Sequence, residues 1–262
     1  MRKLILAITS GIFLIACNNS SDKESATVSY KDHLLKEIAK YPDSLLLKEQ
    51  LIQDYRDSAE YDEAIAFTDS ILKKDSSLVR FWKIKATLHV ENDDTLQAIK
   101  ALEKAVYLAP GPESVADLGN LYASSGNAEA LSVADALAKG WPKESAIEDA
   151  YFIRGLYFSN IGNNKTAVAM FDSCLQINYT NMNVYREKAI ALYNWGKCNE
   201  GIAVLNKALT LQNNFDEGYY WRGMCLEKLG KIEEAIASYK SAKLYNPDYV
   251  EAQEALDRLI KN

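Results

Sequence analysis

The chain is short of the side chains that carry chemistry. Its 262 residues include two histidines, four cysteines and five prolines. His33 and His89 stand far apart, and neither has a cysteine or second histidine one helical turn away, so the usual zinc spacings are absent. No HExxH, no CxxC, no phosphate-binding glycine loop, no dinucleotide fingerprint and no G-x-S-x-G elbow occurs. Carboxylate pairs such as Glu233-Glu234 open helical patterns, where acids complement the helix dipole. The expectation is a protein that is not an enzyme and needs neither cofactor nor metal. Basic residues are scarce too: 30 Lys and Arg stand against 36 Asp and Glu, a net charge of −6. That balance excludes the basic surface on which nucleic acid is held. Period-two alternation is missing throughout, which excludes a β fold. Beyond Ala16 no apolar run approaches the roughly 20 residues a membrane-spanning helix needs.

What is present begins with an address. Arg2-Lys3 form a positive region, Leu4 to Ala16 an apolar one, and polar residues follow directly, the pattern of an export signal. Leu14-Ile15-Ala16-Cys17 resembles the bacterial lipobox. That resemblance implies cleavage after residue 16, a diacylglyceryl group on the Cys17 sulfur and a stable membrane anchor, because two or three acyl chains hold where one is marginal. Asn18 rather than Asp after the cysteine favours the outer membrane, facing the periplasm, by the sorting rule of some Gram-negative lipoproteins. Residues 17–28 read as the lipidated Cys17 and a flexible polar tether, Asn18 to Val28, about 11 residues with an r.m.s. reach of roughly 18 Å.

The rest of the chain, 48% hydrophobic and 25% charged over its whole length, has the composition of a packed globular protein. Its order lies in a count. Ala64, Ala98, Ala130, Ala167, Gly201 and Ala235 recur at intervals of 34, 32, 37, 34 and 34. Gly126, Gly162, Gly196 and Gly230 recur with them, the last two intervals being 34. Each interval holds two amphipathic helical patterns joined by a turn. The spacing predicts a capping helix at 29–44, six repeats at 45–78, 79–111, 112–147, 148–181, 182–215 and 216–249, and a polar capping helix at 250–262. Ala59 and Asn92-Asp93-Asp94 stand in for the turn glycine in the first two repeats, and Lys143 to Ile147 read as a small insertion.

Residues 216–249 place Gly223, Leu226, Gly230, Ala235, Tyr239, Ala242 and Pro247 where a tetratricopeptide repeat (TPR) has small, large, turn, small, aromatic, small and helix-ending residues. The chain from about residue 30 onward resembles that family. The resemblance implies an all-α TPR solenoid, a right-handed superhelix of helix-turn-helix repeats with helix A lining the concave side. It also implies a binding groove on helix A, which carries over to Phe152, Leu156 and Asn160 in repeat four. In repeat five the groove positions hold Arg186, Ile190, Tyr193 and Asn194, and in repeat six Tyr220 and Met224. The alternative for the apolar members is packing against neighbouring A helices. Repeats one to three offer small or charged groove residues, among them Lys83, Thr87 and Asn120. The Lys and Asn pair that holds a C-terminal carboxylate in chaperone-tail TPR proteins is not assembled on any one helix A. Cys174 reads as a packing residue, and a Cys198–Cys225 disulfide stays open. The expectation is a lipid-anchored adaptor of the cell envelope. Its groove would bind a segment or helix of a protein partner in assembly, secretion or cell-wall work. The alternative is a self-associating structural lipoprotein.

Overall fold

The computed structural model describes residues 29–141 and 143–260. The chain divides into two compact units, residues 1–51 and 52–262, the division falling inside the second helix. The first unit contributes α1 (Tyr30–Lys40), with Leu34 buried, and the opening turns of α2 (Leu45–Asp57). The signal, Cys17 and the tether lie outside the described residues.

The second unit is a run of helix pairs. The first helices of the pairs, called A here, are α2, α4 (Val79–Glu91), α6 (Pro112–Ser124), α8 (Glu144–Asn160), α10 (Met182–Asn194) and α12 (Asp216–Lys228). Each is followed by its B helix: α3 (Tyr61–Lys74), α5 (Thr95–Leu108), α7 (Glu129–Gly140), α9 (Asn164–Ile177), α11 (Cys198–Leu211) and α13 (Ile232–Tyr245). A last helix, α14 (Val250–Ile260), buries Ala252, Ala255 and Leu256 toward α13 and turns Glu251, Gln253, Glu254, Asp257 and Arg258 outward. Among the described residues there are 14 helices and no strand.

The turns within the pairs share one backbone form, and in repeats one, two, three, five and six one closing bond. One residue takes a left-handed backbone: Ala59 (φ 55°), Asp93 (56°), then Gly126, Gly162, Gly196 and Gly230 (69–79°). The next N–H reaches five residues back to the helix A carbonyl, as in Asp94 to His89 (2.7 Å) and Lys197 to Leu192 (2.8 Å), satisfying an otherwise orphaned group. The side chains of Asp94, Asn163 and Asn181 then cap α5, α9 and α10 by accepting from Gln97, Thr166 and Val184 N–H. Between pairs, the aromatic that opens helix A ties back to the loop before it. Trp82 Nε1 donates to Ser76 O, Tyr185 Oη to Tyr179 O and Tyr219 Oη to Asn213 O, at 2.9–3.1 Å.

Small residues let the two helices of a pair approach. Ala64, Ala98, Ala130, Ala167 and Ala235 have no exposed surface, and Gly201 is buried. Gly155 and Gly223 do more: each seats an aromatic ring of its own B helix, Phe171 and Tyr239, both wholly buried. Repeat three departs from this. Its B helix has only 12 residues and no aromatic, and Ile153 of α8 packs against Gly119 instead. The insertion expected at Lys143 to Ile147 is taken up by α8, which begins at Glu144 and runs for 17 residues with Ala146 buried. Polar links join successive pairs, Arg56 to Glu91 and Asn181 Nδ2 to Glu148 Oε1 (2.6 Å), and in the last pair Asn246 Nδ2, just after α13, donates to Asp216 Oδ2 of α12 (2.8 Å).

Candidate protein-binding face

The nine groove residues read from the sequence lie on α8, α10 and α12 as helical spacing requires, but they do different things there. Phe152 and Leu156 are half-buried and pack with Phe171, the rings of Phe152 and Phe171 being 5.9 Å apart. Tyr220 joins an aromatic cluster with Tyr249, Trp221 and Tyr239 at 5.0, 5.6 and 5.8 Å. Ile190 is half-buried, and Asn194 is exposed. Asn160, also exposed, donates from Nδ2 to Ser124 O of the preceding A helix at 2.7 Å.

Arg186 is an ion-pair centre. Its Nη1 donates to both Glu217 oxygens (2.9 and 2.7 Å) and its Nε to Glu187 Oε1 (3.0 Å). Desolvation opposes the charge on Arg186, yet Glu217 and Glu187 outweigh it and hold the guanidinium above its ordinary value. Burial pushes the Glu187 carboxyl up, against the pull of Arg186. The guanidinium thus binds repeat five to repeat six.

Tyr193 and Met224 meet at a cavity of about 270 Å³, bounded also by Glu227, Lys228 and Arg258. The Lys228 ammonium stands 4.0 Å from the centre of the Tyr193 ring and donates to the Tyr193 carbonyl at 2.9 Å. Arg258, reaching over from α14, pairs with Glu227. Desolvation works against the Glu227 charge, but Arg258 and the Tyr239 hydroxyl hold its carboxyl below the usual range. The result is an apolar and aromatic floor with one acid and two bases at its rim, the composition of a side-chain-binding pocket. Arg258 was beyond reach of a reading confined to helix A.

A larger opening lies where the sequence offered only small or charged residues. Between α4 and α6 is a cavity of about 330 Å³ lined by Lys83, Ala86, Thr87, Val90, Leu102, Asp117, Asn120 and Leu121. Its signal was the small pair Ala86-Thr87, which leaves helix A of repeat two without bulk on that face.

The remaining reactive groups are held as structure. His89 is buried, and desolvation followed by Lys85 pushes its imidazole below the ordinary range. Cys174, Cys198 and Cys225 are buried free thiols. Burial pushes Cys174 up to about 12, and burial together with Cys198 does the same to Cys225, so neither is a nucleophile at neutral pH. Among the described residues no cluster of His, Cys, Asp or Glu is arranged to hold a metal ion.

Comparison with known proteins agrees with this geometry. Residues 79–112, 148–181 and 216–249 each match the tetratricopeptide repeat. Tetratricopeptide repeat protein 16 of Mus musculus is 38% identical over 63 residues, which are 24% of this chain and 8% of the mouse protein. A tetratricopeptide repeat protein from Parabacteroides merdae superposes with a TM-score of 0.73 at 20% identity, covering 88% of this chain and 91% of that one. PilW, a type IV pilus biogenesis factor, gives 0.61 at 19% identity, covering 80% and 97%. A TPR protein of Thermus thermophilus gives 0.56 at 16%, covering 70% and 100%. At these identities the likeness is one of fold. The chain carries tetratricopeptide repeats folded as an all-α TPR solenoid, an architecture that generally serves as a non-enzymatic scaffold for protein partners.

Proposed function

We propose that this solenoid is a membrane-anchored adaptor, with the A-helix face of repeats four to six binding a segment or helix of a protein partner. The observation that carries the reading is the cavity at Tyr193 and Met224, rimmed by Glu227, Lys228 and Arg258. Aromatic and Arg anchors around an open apolar floor are what a peptide-binding surface uses. The anchor would be the acylated Cys17, and the site of action the envelope of a Gram-negative-type bacterium, at the outer membrane facing the periplasm. Support for an envelope task comes from the signal-like N-terminus and from the shared fold of PilW, a pilus biogenesis factor.

Crosslinking and co-purification from native membranes tests both parts. Wild type is compared with a Tyr193→Ala/Met224→Ala variant whose helicity is unchanged by circular dichroism. A partner captured by wild type and lost by the variant supports the groove; a partner kept by both moves the binding surface elsewhere. Recovery of the protein alone, as a defined oligomer, favours the self-associating structural lipoprotein. Cys17→Ala should release the protein from membranes, and retention would refute the anchor.

A further inference from the structure

The cavity between α4 and α6 is not used by the contacts described for repeats four to six. Its floor is apolar: Ala86 of α4, Leu102 of α5 and Leu121 of α6. The adjacent A helices α6 and α8 pack directly, whereas α4 and α6 approach less closely, and the opening lies between them. Glu113, Asp117, Asn120 and Leu121 follow one another at helical spacing along the face of α6 that borders it.

Two acceptors at the border are open to a guest. The Asn120 side-chain oxygen is buried and accepts no hydrogen bond. A buried acceptor left unpaired costs about 1–3 kcal/mol, so such atoms normally have a donor. Asp117 is exposed at the mouth and has no cation within ion-pair distance among the described residues; the local ammonium, Lys83, lies 3.7 Å from Glu113 instead. Partial desolvation and then Glu113 push the Asp117 carboxyl up, against a smaller pull from Lys83. Asp149 on α8 is raised likewise, by desolvation and by Glu148 and Asp117. Acid charge at this place exceeds the base that could neutralise it.

We propose that the α4–α6 cavity receives the side chain of an arginine or lysine from the partner segment. The aliphatic stem lies over Ala86, Leu102 and Leu121, and the cationic head donates to Asn120 Oδ1 and to the Asp117 carboxylate. A neutral apolar side chain would leave the Asn120 oxygen without a donor and cover the Asp117 charge without pairing it. An acidic one would face Asp117 and Glu113, and the Lys83 ammonium at the lining is shared with Glu113 at 3.7 Å. The inference rests on the adaptor reading and adds to it a basic residue in the bound segment, at repeats two and three.

The test uses small probes on the whole chain carrying Cys17→Ala, followed by amide resonances in NMR titrations. N-acetyl-arginine amide is compared with N-acetyl-norleucine amide and N-acetyl-glutamate amide. The arginine probe should shift the Lys83, Asn120 and Leu121 resonances and bind about ten-fold more tightly than norleucine, the gain expected from one charge-assisted hydrogen bond. Asp117→Asn should remove most of that preference. Asn120→Leu, close in volume, should weaken arginine while leaving norleucine unharmed, which separates a lost acceptor from a damaged fold. An arginine probe that binds no better than norleucine, or a glutamate probe that binds as well, overturns the proposal. Because no partner enters the titration, its failure leaves partner capture by repeats four to six standing. Failure of that capture likewise leaves the titration interpretable.

Discussion

Replacing Gly223 by alanine should destabilise the protein although it improves helix propensity. A Cβ built at Gly223 would lie 2.6, 2.7 and 3.0 Å from Cε1, Cδ1 and Cζ of Tyr239. Carbon atoms pack best at about 3.5–4.0 Å, so the ring must move by most of an ångström. It has no room to do so: Tyr239 has no exposed surface, and its hydroxyl donates to Glu227 Oε2 at 2.9 Å. Overpacking of this kind costs about 1–3 kcal/mol, while the alanine returns about 1 kcal/mol of helix propensity. With the ring locked by both its packing and its hydroxyl, the upper half of the overpacking range applies, about 2–3 kcal/mol, and the net loss is about 1–2 kcal/mol. Urea denaturation followed by far-UV circular dichroism would measure it. Amide exchange should place it in α12 and α13, since stacked repeats open locally. The decisive arm is a double-mutant cycle with Tyr239→Leu, in which the ring is gone and the alanine should become neutral or better. A neutral Gly223→Ala in the wild-type background, or an equal loss in both backgrounds, refutes the reasoning.

Other consequences are as definite. Ala59 carries a left-handed φ of 55° with a side chain that resists it, so Ala59→Gly should stabilise by about 0.5 kcal/mol. Asp93→Gly should gain less, because Asp tolerates that region. Glu91, held below the usual range by the Arg56 hydrogen bond, and Glu227, held there by Arg258 and Tyr239 against desolvation, should add an acid limb to stability. Their contribution is complete above the unfolded carboxyl value of about 4.3 and is lost as pH falls through the lower folded values. Arg56→Gln should flatten that limb in urea titrations at successive pH. His89, lowered by burial and by Lys85, contributes stability that is present above about pH 6.5 and fades as pH falls; His89→Leu should remove this step. Cys174 and Cys225, both pushed up to about 12, should resist a thiol-directed disulfide reagent at pH 8 until urea opens the fold.

Most of the fold was legible because each structural demand recurs at one spacing. The turn residues Gly126, Gly162, Gly196 and Gly230 all take the left-handed backbone their recurrence implied, and Ala59 and Asp93 take it in the positions read as substitutes. One further regularity was present and unread. Sixteen residues separate Gly155 from Phe171 and Gly223 from Tyr239, and likewise Ala86 from Leu102 and Ala189 from Leu205. A glycine on helix A goes with an aromatic on helix B, an alanine with a leucine: the volume at one helix interface is held nearly constant. The first repeat inverts the sizes, with Ile52 and Thr68, and there Thr68 turns its hydroxyl back to the Ala64 carbonyl at 2.7 Å. Such pairs predict which B residue faces which A residue, something amphipathic periodicity alone does not supply.

The face of helix A was legible as a face, and its division of labour was not. Position in the repeat says that Arg186, Asn160 and Lys228 point the same way, but each can reach either a ligand or the next repeat, about the same distance off. In the structure Arg186 takes Glu217, Asn160 takes the Ser124 carbonyl and Lys228 takes the Tyr193 carbonyl and ring, so their polar groups hold the stack together. The α4–α6 side shows the opposite outcome from a less inviting sequence. There Ala86 and Thr87 leave space, Lys83 is drawn to Glu113, the Asn120 oxygen is left without a donor and the exposed Asp117 without a cation. Where the A helices are tied by their own polar side chains, a guest is left mainly the apolar and aromatic floor at Tyr193 and Met224. Between α4 and α6, where Ala86 and Thr87 leave the gap unfilled, the Asn120 oxygen stays unpaired, and a partner's side chain has something to satisfy.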